Sequence, residues 1–282
     1  MAPDGLLLVD KPRGMTSHDV VDAVRRALGT RKVGHAGTLD PTATGLLLVG
    51  VGRATRLLRF LGDLPKTYEG TGMLGVETTT LDEVGDVTRI SPVTVTREEL
   101  ERAAEALLGE TMQRPPAFSA VKVGGRRLYE AARRGERLEA EPRAIRVDEF
   151  RIVDRDGPSF RFVVTCSGGT YVRVLVADVG TALGCGAHLT RLRRTAIGAF
   201  DVEDATPPDD PGPPLPLERA VAHLPRVDLE EPEEARAASN GSILAPAGVE
   251  GPYAVHGPDG RLIGVWRDAG AKATPEMVLA PG

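Results

Sequence analysis

Short apolar runs, broken by glycine, proline and polar residues, set the pattern of this chain. Residues 6–9 and 46–49 both read Leu-Leu-Leu-Val, without alternation, and predict strands buried on both faces. Between them Val20, Val21, Val24, Ala27 and Leu28 recur at helical spacing, which predicts a helix over 18–28 with Ser17 as its N-cap. Gly34, Gly37, Pro41 and Gly45 punctuate 29–45 and predict a loop. A short helix is expected over 53–61 and a strand over 66–74. Thr96 and Glu99 form a capping box ahead of Leu100, Ala103, Ala104, Leu107 and Leu108, a helix that stops at Gly109. Gly124-Gly125 predicts a hairpin within 121–129, running into a helix that ends near Gly135. Strands are expected over 145–153 and 160–166, then a helix over 171–183.

Helices and strands are interspersed, but hairpin signals outnumber β-α-β units. The expected fold class is therefore α+β, with a mixed, largely antiparallel sheet. Residues 206–216 hold six prolines and read as a linker. Beyond it, 253–256 and 261–266 flank Gly257-Pro258-Asp259-Gly260, the chemistry of a hairpin turn. The chain divides accordingly into a main domain (1–204), a proline-rich linker (205–216) and a small β-rich module (217–282).

Composition narrows the function. With 282 residues, 41% of them hydrophobic, the chain can bury a large core. No apolar run approaches the ~20 residues that span a bilayer, and the N-terminus has no signal-peptide layout. Cys166 and Cys185 form no C-x-x-C pair, so a cytoplasmic, reducing setting is expected. The net charge of −5 is unevenly spread: 205–282 carry 12 acidic and 6 basic residues. Eight basic residues crowd 121–146, among them Lys122, Arg126, Arg127, Arg133 and Arg137. His188, Arg191, Arg193 and Arg194 form a second knot. Either group is a solvated face or a local phosphate-tracking patch.

Several familiar motifs fail. Gly70-x-Gly72-x-x-Gly75 has dinucleotide-fingerprint spelling but sits inside a predicted strand, with no helix to present amides to a pyrophosphate. There is no phosphate-binding loop with its lysine, no H-E-x-x-H and no nucleophile elbow. No metal, nucleotide or redox cofactor is expected.

The stretch 34–45, Gly-His-Ala-Gly-Thr-Leu-Asp-Pro-Thr-Ala-Thr-Gly, carries the chemistry. Asp40 lies on a glycine-rich loop entering a buried strand, and Pro41 biases it away from helical dihedrals. Such an aspartate either bonds its own turn or acts as a nucleophile.

These residues resemble the TruB family of tRNA pseudouridine synthases. The resemblance runs, in the family's order, through Gly5–Lys11 with Pro12, Gly14-Met-Thr-Ser17, the 34–45 block and Lys66-Thr67-Tyr68. It continues through 114–122, Cys166-Ser-Gly-Gly-Thr-Tyr171-Val-Arg173, 183–188 and Leu192-Arg193-Arg194, covering roughly 5–200. Two departures stand out: Gly168 replaces an often basic residue, and Thr42 an often larger aliphatic.

The resemblance implies that uracil is detached from its ribose, turned, and rejoined through carbon 5, with Asp40 as catalytic nucleophile and no cofactor. It implies that Arg173 pairs with Asp40, a contact expected to lower the carboxyl pKa. Tyr68 would stack on the uracil, Tyr171 and Leu192 would line its pocket, and His35 would enter the RNA loop as the nucleotide is extruded. The implied substrate is the T-loop uridine at position 55, held by the T-arm stem-loop. Lys122, Arg126, Arg127 and Arg133 would then clamp RNA backbone. The tail resembles PUA-like modules. Neither a membrane nor an obligate protein partner is implied, and the chain is expected to work as a monomer. Two rival readings are a guide-RNA-dependent synthase acting on ribosomal RNA, and an RNA chaperone whose modification activity is incidental.

Overall fold

The computed structural model describes residues 4–136 and 138–279, so Arg137 lies outside the described residues, as does the side chain of Arg133. The chain opens with β1 (Gly5–Lys11), α1 (Ser17–Leu28), β2 (Val33–Ala36), β3 (Thr44–Val51), β4 (Lys66–Leu74), β5 (Val76–Thr78) and β6 (Val87–Ile90). It continues with α2 (Arg97–Glu105), β7 (Gly109–Gln113), β8 (Lys122–Val123), β9 (Arg126–Arg127), α3 (Leu128–Arg133), β10 (Arg143–Asp156) and β11 (Ser159–Cys166). Then follow α4 (Val172–Ala182), β12 (Ala187–Ile197), β13 (Phe200–Asp201), β14 (Arg226–Asp228), α5 (Pro232–Ser239), β15 (Pro252–His256), β16 (Leu262–Ala269) and β17 (Lys272–Val278).

Among the described residues the main sheet has nine strands, ordered β1-β3-β12-β4-β11-β10-β7, with β2 on β3 and β13 on β12. Most pairs are antiparallel; β12 meets β3 in parallel, and only at Arg193–Thr44 and Arg194–Gly45. The fold is α+β, as the hairpin signals predict. β1 and β3 are apolar throughout because both faces are covered. Leu7, Val9, Leu47 and Val49 pack on Val20, Val21 and Val24 of α1. Leu6, Leu8, Leu46 and Leu48 share a second core with Leu262, Val265 and Met277 of the C-terminal sheet. On the other half of the main sheet, α2 and α4 bury Phe160, Phe162 and Val164.

Several elements differ from the sequence pattern. The N-cap of α1 is Thr16, reciprocally bonded with Asp19; Ser17 is the first helical residue and its hydroxyl is spent elsewhere. Residues 53–61 form two 3-10 turns, Gly52–Arg56 and Leu58–Leu61, in place of one helix. β2 lies within the predicted loop. The Thr96–Glu99 capping box is formed, and Gly124 and Gly125 both take positive φ at the hairpin turn. Gly70 and Gly72 are packing glycines: a Cβ at either would come within 2.3 Å of the Phe162 or Phe160 ring.

Segment 205–216, expected as a linker, is tied along β1. Leu6 and Leu215 exchange backbone hydrogen bonds of 2.9 and 2.7 Å, and Thr206 bonds Leu8 and Asp10. Its prolines offer no amide to a further strand, which blunts the edge of the sheet. The C-terminal strands order as β14-β15-β16-β17 around Trp266 and Tyr253, both buried.

The parallel contact between β3 and β12 depends on Gly45, whose φ is +102° and whose Cβ would lie 2.2 Å from the Arg194 carbonyl oxygen. Gly45→Ala is expected to cost about 2–4 kcal/mol in urea unfolding. Gly29→Ala, left-handed but with nothing within 4 Å, should cost only about 1 kcal/mol. Equal losses would show that close approach at Gly45 is not what holds the two strands.

Candidate active site

Asp40 stands on the turn between β2 and β3, where the Ala43 amide donates to its carbonyl. Three buried polar side chains fix this turn. The Ser17 hydroxyl accepts from the Leu39 amide at 2.9 Å, tying the turn to the start of α1. The Lys11 ammonium donates to the carbonyls of Met15, Pro12 and Pro41 at 2.6, 3.0 and 3.4 Å. Arg194 donates to Gly37 O at 3.0 Å and to Leu46 O at 2.7 Å, clasping both ends. Lys11 and Arg194 are buried because their donors meet carbonyls that would otherwise go unpaired. Burial and the Arg194 charge pull the Lys11 pKa down to about 8, while Asp40 and Asp19 oppose the shift.

Arg173 is the centre of the site. It occupies the first turn of α4 and is 5% exposed. One terminal nitrogen, Nη2, lies 3.5 Å from Asp40 Oδ2 and donates to Phe118 O at 2.7 Å. The other, Nη1, lies 3.2 Å from Asp82 Oδ2. Asp82, which sequence reasoning missed, is buried, and its other oxygen accepts from the Thr80 hydroxyl and the Val84 amide. Leu81, just before it, is the one non-glycine residue with positive φ among the described residues, at 63°. A leucine held left-handed costs about 1–2 kcal/mol, so this backbone strain coincides with the placement of the second carboxylate.

Sharing one guanidinium changes the electrostatics expected from sequence. Arg173 does favour the ionised form of Asp40, as does Lys11, but burial acts more strongly and the Asp82 charge adds to it. The net direction is upward from the ordinary 3.8, not downward.

Tyr68 projects from β4 into the core on the helix side, directly across from Arg194 on β12. Burial pushes its pKa up, so the phenol keeps its proton. Two guanidiniums approach the Tyr171 ring, Arg143 at 4.9 Å and Arg173 at 5.7 Å from its centroid. Gln113 fixes its backbone from both sides, accepting from the amide at 2.8 Å and donating to the carbonyl at 3.1 Å. Leu192 on β12 packs against the same core as Tyr68. The His35 ring on β2 is half-buried; burial and the neighbouring Arg194 and His18 charges lower its pKa, so it is neutral near pH 7.

The basic residues separate into different roles. Lys122 and Arg127 stand opposite each other on the β8–β9 hairpin, and Arg126 pairs with Glu136 at 2.7 Å. Arg127 contacts Tyr129. The His188–Arg194 knot is no single patch: Arg194 is in the core, His188 is bound to Val76 O, Arg193 is paired with Asp10, and Arg191 alone is exposed. Gly168 packs against Gly62 O, 2.3 Å from where a Cβ would lie, so no larger side chain fits in this backbone. Among the described residues no group of three or more His, Cys, Asp or Glu side chains could hold a metal ion.

Residues 25–172 match the family described as TruB family pseudouridylate synthase, N-terminal domain. Residues 173–209 match the tRNA pseudouridylate synthase B C-terminal domain, and 224–280 the C-terminal domain of tRNA pseudouridine synthase II. The tRNA pseudouridine synthase B of Mycobacterium sp. (strain KMS) is 47% identical over 287 residues, covering 98% of this chain and 96% of the relative. The synthase of the same name from Mycobacterium tuberculosis (strain ATCC 25618 / H37Rv) is 44% identical over 292 residues, with the same coverage. A crystal structure of a Cbf5-Nop10-Gar1 complex superposes with a TM-score of 0.76 at 28% identity, covering 98% of this chain and 85% of that one.

The two carboxylates on Arg173 should respond oppositely to neutralisation. The Asp40 pKa is raised on folding, so the ionised group costs stability once pH has risen through its folded-state value. Asp40→Asn is therefore expected to raise the melting temperature at pH 8 and to leave it unchanged near pH 3, where the acid is protonated folded and unfolded. Asp82→Asn breaks a buried pair, with side chains 6% and 8% exposed, and should cost about 3–5 kcal/mol at pH 8. Destabilisation of similar size in both variants would show that Arg173 depends equally on the two.

Proposed function

We infer the reaction from one premise: the chain belongs to the TruB family of pseudouridine synthases. It is an isomerase that acts on tRNA and converts uridine to pseudouridine. We propose that its target is the T-loop uridine at position 55 and that Asp40 is the nucleophile. The observation that carries this reading is the contact of Asp40, on a turn fixed by Lys11, Ser17 and Arg194, with the buried Arg173.

In this reaction the bond from N1 of the base to C1′ of the ribose breaks and a bond from C5 to C1′ forms. C5 loses a proton and N1 gains one, so the product is an isomer and no cofactor is consumed. Asp40 must be ionised to act; Arg173 and Lys11 favour that state against burial. Tyr68 would lie against the detached base with its phenol protonated, as a hydrogen-bond donor. Leu192 and Tyr171 would exclude water while the base turns. His35 would present a neutral ring to the RNA loop as the nucleotide leaves its stack, a step that costs a few kcal/mol and less in a loop. Lys122, Arg126, Arg127 and Arg133, on or beside the β8–β9 hairpin, would hold phosphates. The Arg173 bond to Phe118 O supports a link between that hairpin and the reacting centre.

We assign the catalytic unit to 1–204, a connecting strap to 205–216 and a PUA-like module to 217–282. The 47% identity to a tRNA synthase over nearly the whole chain favours a stand-alone tRNA enzyme over a guide-dependent one, with tRNA as its required partner and the cytoplasm as its setting.

Asp40→Asn is expected to abolish pseudouridine formation on unmodified tRNA while tRNA affinity changes by less than about tenfold, ~1.4 kcal/mol. Turnover in a preparation free of host enzyme would refute the nucleophile. In wild type, the single-turnover rate should fall on acidification with a midpoint above 3.8, the ordinary aspartate value, because folding raises the Asp40 pKa. Tracking phosphates requires affinity to fall with salt, by about 0.7 log units per log unit of salt for each single-strand contact. Alanine at Arg126, Arg127 and Arg133 should flatten that slope by up to about two units. An unchanged slope would make the cluster a solvated face.

A further inference from the structure

The main sheet has a groove that shares Leu192 with the proposed reaction and whose arginines that reaction leaves unused. Its volume is ≈ 550 Å³, and Arg13, Arg151, Arg161, Arg191 and Arg193 line it. Strand register explains the clustering. On β10 and β11, Phe150, Ile152, Phe160, Phe162 and Val164 point into the core shared with α2 and α4, so the residues between them face the other way. One cross-strand row on that outer face reads Arg161, Thr71, Arg191; the next reads Arg151, Val163, Glu69, Arg193, Thr44. Adjacent strands lie about 4.8 Å apart, which places the backbones of Arg161 and Arg191 about 10 Å apart across β4.

The carboxylates around these arginines do not disqualify the groove. Arg151 pairs with Glu149 and Arg161 with Asp154, each at 3.2 Å; Arg193 pairs with Asp10, Arg13 pairs with Glu83, and Glu69 lies within the lining. The Glu149 and Asp154 pairs are solvent-exposed, with Arg151 and Arg161 side chains 59% and 64% accessible. Such exposed pairs contribute little, and a guanidinium can exchange one for two parallel bonds to a phosphate. Arg191 is exposed and stands outside every ion pair among the described residues. Thr42, Thr44 and Thr71 add hydroxyl donors. The one aromatic in the lining, Phe162, is 1% exposed, so no ring is available to stack a base. The chemistry fits a sugar-phosphate backbone better than a nucleobase.

We propose that this groove binds the backbone of tRNA outside the loop that carries the target uridine. The proposal rests on the reading of the chain as a tRNA enzyme. It adds a second phosphate-binding surface, on the sheet face opposite the side into which Tyr68 projects. Arg13 and Thr42 stand at its border with the Asp40 turn.

The test uses the full chain with Arg161→Ala and Arg191→Ala combined, both exposed positions outside the proposed catalytic pocket and hairpin. Equilibrium binding is measured across a salt series for a full-length tRNA transcript and for a minimal T-arm stem-loop, together with single-turnover isomerisation of the stem-loop. The double variant is expected to bind full-length tRNA about tenfold more weakly, with a salt slope flatter by one to two units, and to match wild type on the stem-loop in affinity and rate. Lysine at both positions should restore most of the salt slope. Unchanged binding of full-length tRNA would overturn the proposal. An equal loss on the stem-loop would also overturn it, because the groove would then belong to the target-loop site. Wild type inactive on both RNAs would instead refute the enzyme reading, an outcome separate from either.

Discussion

A single buried guanidinium organises the candidate site of this molecule. Arg173 sits in the first turn of α4, where the helix dipole disfavours a cation. Burial adds a desolvation cost, so the side chain is held only because Asp40, Asp82 and the Phe118 carbonyl converge on it. Those three groups come from segments far apart in sequence. The left-handed Leu81 and the bond from the Leu189 amide to the Leu81 carbonyl serve the same end, since together they fix where Asp82 enters.

The Asp40 turn obeys the same logic from the other side. A carboxylate on a surface loop would sample many positions, and the attack proposed for Asp40 needs one. Lys11, Ser17 and Arg194 replace that freedom with buried hydrogen bonds to backbone, while Gly45 lets β3 approach β12 closely enough for Arg194 to reach across. Cations bound to main-chain carbonyls therefore do the positioning, and they also raise the positive potential around the carboxylate.

The sequence pattern revealed what depends on local order. Apolar runs marked β1 and β3, the Thr96–Glu99 box marked the start of α2, and paired glycines marked the β8–β9 turn. Asp40 and Arg173 were legible through the family resemblance, since their meeting spans 133 positions of sequence that no periodicity connects. Asp82 was not legible: it lies in a threonine-rich stretch without periodic pattern, and only tertiary contact gives it meaning. Lys11 and Arg194 carry no sequence signal of burial, and Arg194 read as part of a basic surface knot. β12, at the middle of the sheet, is rich in arginine and threonine because much of one face is open, so its hydrophobic signal is weak. The proline-rich stretch lacked helix and strand signals, yet it lies flat against β1 through a few backbone bonds.

Desolvation and the nucleophilic role proposed for Asp40 make opposing demands on a side chain that is 44% exposed. Excluding water strengthens every electrostatic contact in the pocket but also favours the neutral acid, which cannot attack. A private ion pair with Arg173 would resolve the conflict by holding the carboxylate firmly ionised, and it would also stabilise the ground state that must be left behind. Dividing the guanidinium between two aspartates gives Asp40 a weaker hold, at 3.5 Å against 3.2 Å for Asp82. The carboxylate stays oriented, yet it is not neutralised by a tight partner. Asp82 thus acts on the Asp40 carboxylate without facing it, by setting how much of Arg173 is left for Asp40.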